Sequence, residues 1–280
     1  MLLRRRFCKR VVLLLTAFAV SFYASVLLFG GLKGPQVMRL TDLHRCPACY
    51  GVTVCPELYS NQITLDSSHW NMFNAKNIYY GYTKSNRRVV LKKLAHNWEL
   101  KEFDDNLCNN WRLKLDYTEP RKGLVMCPYA YSLYDFIQSF LNNKREGYKS
   151  ELINIWTMLS INPEPIILQV IPKSKGWPVP PFGGVCGRLE VVGHEGEPLS
   201  ALLDVAWHRK LKYAQNILDA AMDFTFKHDR FRFYLMDWSL DNIVANEKDE
   251  ITFVDLEDLV VLDKHISPKK DLPDWYKSWR

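Results

Sequence analysis

Three polar residues near the end of the chain have the types and spacing to work on a phosphate: Asp237, Asn242 and Asp255. Asn242 follows Asp237 by five positions, and Asp255 follows Asn242 by thirteen. Phosphoryl transfer from a nucleotide needs hard oxygen donors for the accompanying divalent metal. It also needs a separate carboxylate to orient the attacking hydroxyl. Asn242 and Asp255 fit the first task as metal ligands, and Asp237 fits the second as the catalytic carboxylate. An Asp-x4-Asn run alone is common and could do no more than cap a turn. Its surroundings say more. Ile243-Val-Ala245 and Ile251 to Val254 read as two short strands, and Asn246-Glu-Lys-Asp249 between them is turn-like, so the two form a hairpin. The hairpin holds Asn242 and Asp255 at one end, with Asp237 in the loop leading in.

Other elements must bring a cation to the same phosphate. Asn77 to Lys84 and Arg88 to Lys92 read as a second hairpin around Ser85-Asn86. Lys92 ends its alternating strand, with Lys93 beside it as a rival. A phosphate-covering loop would want several glycines, because backbone amides must approach closely, and this hairpin has Gly81 alone. Lys149 to Ser160 is helical in pattern, with Leu152, Ile155, Trp156 and Leu159 on one face. Asn162-Pro-Glu-Pro165 then turns the chain, and Ile166 to Ile171 reads as a strand. Gly187 to Val192 is a further strand, Gly193 to Leu203 a linker, and Leu211 to Phe226 an amphipathic helix. Residues 94–148 read as an insertion with one amphipathic piece, Tyr131 to Leu141. His208, His228 and His265 fall at no metal-ligand spacing and read as surface or packing residues.

The net charge of +6 includes five Lys or Arg among the first ten residues, so about +1 remains without them and no nucleic-acid footprint is left. Val11 to Leu32 is a run of 22 uncharged residues, long enough to span a bilayer as a helix. The basic flank should stay in the cytoplasm, which makes this stretch a type II signal anchor or a cleaved signal peptide. The lumenal part then holds six cysteines: Cys46, Cys49, Cys55, Cys108, Cys127 and Cys186. In an oxidising compartment these form up to three disulfides, with about fifteen possible pairings. A zinc site at Cys46, Cys49 and Cys55, or a redox role for Cys46 and Cys49, are the other readings of the cluster.

The polar motifs resemble the protein-kinase signature, His-Arg-Asp-x-x-x-x-Asn and then Asp-Phe-Gly, in degenerate form. Leu235-Met236-Asp237 stands for the first triplet and Asp255-Leu256-Glu257 for the second. Val89-Val-Leu-Lys92 resembles the kinase strand that presents a phosphate-binding lysine. The order of strand lysine, helix, strand, linker, helix and hairpin is that of a kinase from its third to its ninth strand. Cys46-Pro-Ala-Cys49-Tyr-Gly51, Asn162-Pro-Glu-Pro165, Gly176-Trp-Pro178 and Cys186-Gly-Arg188 extend the likeness. On these residues the chain resembles the divergent protein kinase domain 2 family over most of residues 44–280.

The resemblance implies an α+β, protein-kinase-like two-lobed fold, with a β-rich N-lobe and a helical C-lobe, behind a single N-terminal signal-anchor helix. The expected organisation is a cytoplasmic tail (1–10), the anchor (11–32), a stem and cysteine-rich segment (33–74), an N-lobe (75–192, with the insertion 94–148) and a partial C-lobe (193–280). It implies ATP with Mg2+ or Mn2+ as cofactor, with Lys92, Glu151, Glu190 and Val192 around the nucleotide. Glu151 is then the partner of Lys92, with Glu99 and Glu102 as rivals. Golgi or secreted residence, membrane contact through residues 11–32 and a lumenal or extracellular protein partner follow from the same likeness. The chain departs from active kinases at Ser239, where they carry a lysine, and at Glu257, where they carry glycine. It also stops 25 residues after Asp255, so an incomplete C-lobe and a truncated form are expected. Three functions compete: a secretory kinase-like enzyme acting on a protein or glycan hydroxyl, a pseudokinase serving as a signal or binding module, and a type II Golgi glycosyltransferase.

Overall fold

The structure is a computed structural model. It describes residues 37–46, 48–66, 77–93, 123–127 and 152–265, with residues 21, 100, 101, 103–105, 136, 137 and 140. The anchor stretch 11–32, apart from residue 21, lies outside the described residues, as do Glu99, Glu102, Cys108 and Glu151. Among the described residues no helix is long and apolar enough to cross a membrane.

The central element is a five-stranded antiparallel sheet with strands β1 (Ile63–Leu65), β2 (Ile78–Thr83), β3 (Arg88–Lys93), β5 (Phe182–Cys186) and β6 (Leu189–Gly193), in the order β1-β2-β3-β6-β5. β4 (Val125–Cys127) lies elsewhere. The β2–β3 hairpin turns at Asn86, whose φ of 57° a short amide side chain tolerates. Successive side chains on a strand point to opposite faces. Val89 and Leu91 of β3, with Leu189 and Val191 of β6, enter one core with Leu40, Val54, Cys55, Leu58 and Ile63. Val90, Val185 and Val192 join a larger core on the other side.

The outer face is covered by the cysteine-rich segment. Its short helices α1 (Val37–Thr41) and α2 (Cys55–Tyr59) pack there, and its last strand, β1, pairs with β2. A Cys55–Cys186 disulfide staples α2 to the β5–β6 hairpin, and Cys46–Cys49 closes the loop between α1 and α2. That hairpin turns at Gly187, with φ +62°, and a Cβ there would sit 1.7 Å from the Thr41 carbonyl oxygen, so glycine is required. Joined as they are, Cys46 and Cys49 hold no zinc. Cys127 is a free thiol rather than half of a third bridge.

The inner face meets helices α3 (Leu152–Ile161) and α4 (Glu164–Val170). The expected strand at Ile166 to Ile171 is therefore wrong. Ile166, Ile167 and Leu168 are each fully buried, so three consecutive positions of this helix are apolar and no period shows. Pro165 in its first turn starts the helix, with its missing N–H no loss there.

Helix α5 (Trp207–Met222) begins four residues before its apolar periodicity suggests and ends in a π-helical segment, Asp223–Lys227. β8 (Phe231–Leu235) follows, then the expected hairpin of β9 (Ile243–Ala245) and β10 (Ile251–Phe253), and finally β11 (Leu259–Asp263). β7 (Glu197–Pro198) pairs with β9, while β8, β11 and β4 form a third sheet. The hairpin turn is pinned to α5 through Asp249, which accepts hydrogen bonds from Arg209 Nε at 2.7 Å and Tyr213 Oη at 2.9 Å.

Candidate functional site

Lys92 sits at the inner end of β3 with only 10% of its side chain exposed. Its ammonium donates to both carboxylate oxygens of Glu164, each at 2.9 Å, and Glu164 is fully buried. Asp255 Oδ1 lies 3.7 Å from the same ammonium. Burial alone would lower the pKa of Lys92, but the carboxylates of Glu164, Asp255 and Glu190 outweigh it, and the ammonium stays charged.

The expected partner, Glu151, is corrected to Glu164. The sequence signal was weak because Glu164 stood in what read as a proline turn. As the first residue of α4 it instead faces the sheet. Asn162 fixes it there, with its Oδ1 accepting from the Glu164 backbone N–H at 2.9 Å. That contact gives Asn162-Pro-Glu-Pro165 a physical job, since it presents one carboxylate at the start of a buried helix.

Glu190 lies directly across the β3–β6 ladder from Lys92, and Val192 lies across from Val90. Glu190 is fully buried, and neither of its oxygens has a hydrogen-bond partner. Burial, then repulsion from Glu164, raises its pKa well above the usual carboxylate range, while Lys92 pulls it back. The inner face of the sheet thus carries an acid where an aliphatic residue would be cheaper to bury.

The β9–β10 hairpin forms as expected and brings the polar motif to one end. The Val254 backbone N–H donates to the Asn242 carbonyl at 2.9 Å, which sets Asn242 beside the start of the Asp255 segment. Asp255 adopts a left-handed backbone, φ 65°, two positions after the ladder ends. Asn242 Nδ2 donates to Asp237 Oδ2 at 2.7 Å, and the Ser239 backbone N–H donates to Asp237 Oδ1 at 3.1 Å. Asp237 is therefore held by both flanks of its own loop. Trp238 anchors that loop, its indole N–H donating to the Leu235 carbonyl at 2.7 Å and its ring standing edge-on to Phe253.

The two departures also have visible roles. Ser239 supplies the backbone N–H on Asp237. Glu257 Oε2 accepts from Asn162 Nδ2 at 2.6 Å, so the residue in the glycine position ties the β10–β11 connection to the start of α4. Partial burial of its carboxyl, then the charges of Asp255 and Glu164, push the Glu257 pKa up to about 7. The residue as a whole is exposed, and solvent screening weakens that shift.

A buried lysine–glutamate pair above a hairpin that carries Asp237, Asn242 and Asp255 is a protein-kinase-like arrangement. A family model for the protein-kinase domain of FAM69 matches residues 155–272, so the chain is kinase-like with mixed α/β content. Divergent protein kinase domain 2A of Xenopus tropicalis is 28% identical over 287 residues, covering 86% of this chain and 66% of its own. Divergent protein kinase domain 2B of Mus musculus is 23% identical, over 63% of this chain and 50% of its own. The likeness to the divergent protein kinase domain 2 family read from the motifs is shown by these relatives. The chain spans somewhat less than two thirds of the length of the 2A relative and half of the 2B relative. A solved structure, the Rv3197–erythromycin complex from Mycobacterium tuberculosis, aligns over 90% of this chain and 67% of its own at a TM-score of 0.35 and 10% identity, too low to carry an argument.

Proposed function

We propose that this chain binds a nucleoside triphosphate with a divalent metal between the five-stranded sheet and the β9–β10 hairpin, and transfers its terminal phosphoryl group to a protein or glycan hydroxyl. The observation that carries this reading is the Lys92–Glu164 pair with Asp255 3.7 Å away. One fixed cation for phosphate oxygens then stands beside one carboxylate suited to metal. The donor set fits Mg2+ or Mn2+, since Asp255 and Asn242 offer hard oxygens and no soft ligand lies among them. The metal supplies charge neutralisation at the phosphates when bound. Lys92 holds phosphate oxygens, and Glu164 keeps Lys92 in place. Val90 and Val192 give the nucleotide an apolar wall. Asp237 accepts the proton of the attacking hydroxyl, its carboxylate already oriented by Asn242 and the Ser239 N–H.

A pseudokinase is the second reading, and Ser239 favours it. A lysine there would place a cation near the transferred phosphate, whereas the serine contributes only a backbone N–H to Asp237. We place the protein in the secretory pathway, held by residues 11–32 or released after cleavage, with a lumenal or extracellular protein partner. The basic flank and the uncharged run support this, and the two disulfides fit an oxidising compartment.

A thermal-shift titration with ATP and Mg2+ or Mn2+ tests the reading, because a ligand bound only by the folded state raises Tm. A metal-dependent rise together with phosphate transfer supports the enzyme. A rise without transfer supports the pseudokinase, and no rise with either metal rejects the nucleotide site.

A further inference from the structure

We propose that Cys46–Cys49 is a redox-active disulfide, opened and closed by exchange with low-molecular-weight thiols, while Cys55–Cys186 is structural. The site lies beside the β5–β6 turn, where the Tyr50 N–H donates to the Gly187 carbonyl, and it does not rest on the nucleotide reading.

The two cysteines of the pair are exposed unequally. Cys46 is half-buried, whereas Cys49 is 1% exposed and follows the buried Ala48 in the chain. An incoming thiolate therefore reaches Cys46 and not Cys49. The other bridge offers no such entry, since Cys55 and Cys186 both belong to the core between α2 and the sheet. Reactivity toward thiols follows access and thiolate stability.

The charge around the loop favours the same chemistry. Arg188 is 2% exposed and donates through Nε at 3.1 Å and Nη2 at 2.9 Å to the carbonyl of Ala48, inside the Cys-Pro-Ala-Cys loop. It also pairs with Asp104, and Arg45, next to Cys46 in the chain, reaches the same carboxylate at 3.4 Å. Two guanidinium groups share one carboxylate, which leaves positive charge beside the loop to attract an anionic thiol such as glutathione. The buried sulfur also has a destination once reduced. Cys49 Sγ lies 3.9 Å from Asn154 Oδ1 on α3, an acceptor for the new S–H.

The exchange balances. A thiolate attacks Cys46 Sγ, the Cys46–Cys49 bond breaks, and its electron pair leaves on Cys49 Sγ, which takes a proton. A second thiolate attacks the small-molecule sulfur of the mixed disulfide and frees Cys46, which is protonated in turn. Two small thiols become one small disulfide, and the loop gains two electrons and two protons.

The test is graded reduction of the full folded chain with glutathione, followed by alkylation and peptide mass spectrometry. Cys46 and Cys49 should label at roughly tenfold less glutathione than Cys55 and Cys186. With oxidised glutathione, the Cys49→Ser variant should gain one adduct on Cys46, and the Cys46→Ser variant none on Cys49. Arg45→Gln, at an exposed position, should slow opening by glutathione about threefold while leaving opening by a neutral dithiol unchanged. Labelling of both bridges together, earlier labelling of Cys55 and Cys186, or an adduct on Cys49 would overturn the proposal. Survival of the order without the Arg45 effect would leave access as its sole cause and remove the electrostatic part.

Discussion

Lys92 and Glu164 stand 72 positions apart in the chain, yet the ammonium meets both carboxylate oxygens at 2.9 Å inside the protein. The pair joins β3 to the start of α4 and so fixes how the helix layer sits against the sheet. Its two charges have been taken out of water, and their value to the fold depends on each keeping the other.

Removing one partner should therefore cost far more than a surface substitution. Glu164→Gln keeps the shape but leaves the ammonium with a neutral acceptor, and about 3 kcal/mol of stability should be lost in urea unfolding. Glu247→Gln, at an exposed position, should change stability by less than about 0.5 kcal/mol. Equal effects of the two variants would sink the assignment of Glu164.

Glu190 makes the opposite prediction. Its folded pKa is raised above the ordinary 4.5, so between those two values the folded state binds a proton that the unfolded state has lost. Stability then falls as pH rises through that window, by up to about 1.4 kcal/mol per pH unit for one extra proton. Glu164, Lys92 and Asp255 are the charged groups that act on it. Glu190→Gln needs no proton and should be more stable at neutral pH, with a flatter pH profile. Chemical denaturation of both proteins from pH 5 to pH 8 checks it, and parallel profiles would rule the account out.

The two disulfides should differ in what they contribute. Cys55–Cys186 closes a loop with a sequence separation of 131, and Cys46–Cys49 one of 3. The chain-entropy argument gives at most about 5 kcal/mol for the first and about 2 kcal/mol for the second. The double Cys55→Ser, Cys186→Ser variant should lose the larger share, together with the outer cover of the sheet. The double Cys46→Ser, Cys49→Ser variant should stay folded, and comparing their Tm values decides between equal and unequal roles.

Which of these features the sequence reveals follows from periodicity. The β2–β3 and β9–β10 hairpins are legible because alternation and turn residues agree, and Lys92, Asn242 and Asp255 come with them. The helix from Glu164 is not legible, because its buried Ile166-Ile-Leu168 run has no polar face to set a period. With α4 misread, Glu164 is hidden as well. Disulfide pairing depends on which segments meet in space, and the packing of α2 on the β5–β6 hairpin is not written in cysteine spacing. Glu190 appears in sequence as one acid in a strand, and only the ladder partner Lys92 shows how crowded its position is.

The last prediction separates the roles of Asp237, Asn242 and Asp255. Were Asp237 concerned only with the attacking hydroxyl, Asp237→Ala would leave nucleotide binding intact. The structure ties it more closely to the metal end, because Asp237 Oδ2 accepts from Asn242 Nδ2 at 2.7 Å and so sets which way the amide oxygen points. Asp237→Ala should then weaken metal-dependent nucleotide binding several-fold through a misoriented Asn242. Asp237→Asn, able to accept the same hydrogen bond, should restore most binding while still blocking transfer. Asp255→Ala should abolish metal-dependent binding, because it removes the one anionic oxygen donor proposed for the cation. Lys92→Ala bears on two links at once. It removes a phosphate contact and leaves Glu164 buried without its cation, so its binding must be measured at a temperature where the variant is shown to be folded. Calorimetric titration with ATP and Mn2+ reads all four variants. Full binding by Asp237→Ala would show that the Asp237–Asn242 bond plays no part in holding the metal, and full binding by Asp255→Ala would remove the metal site itself.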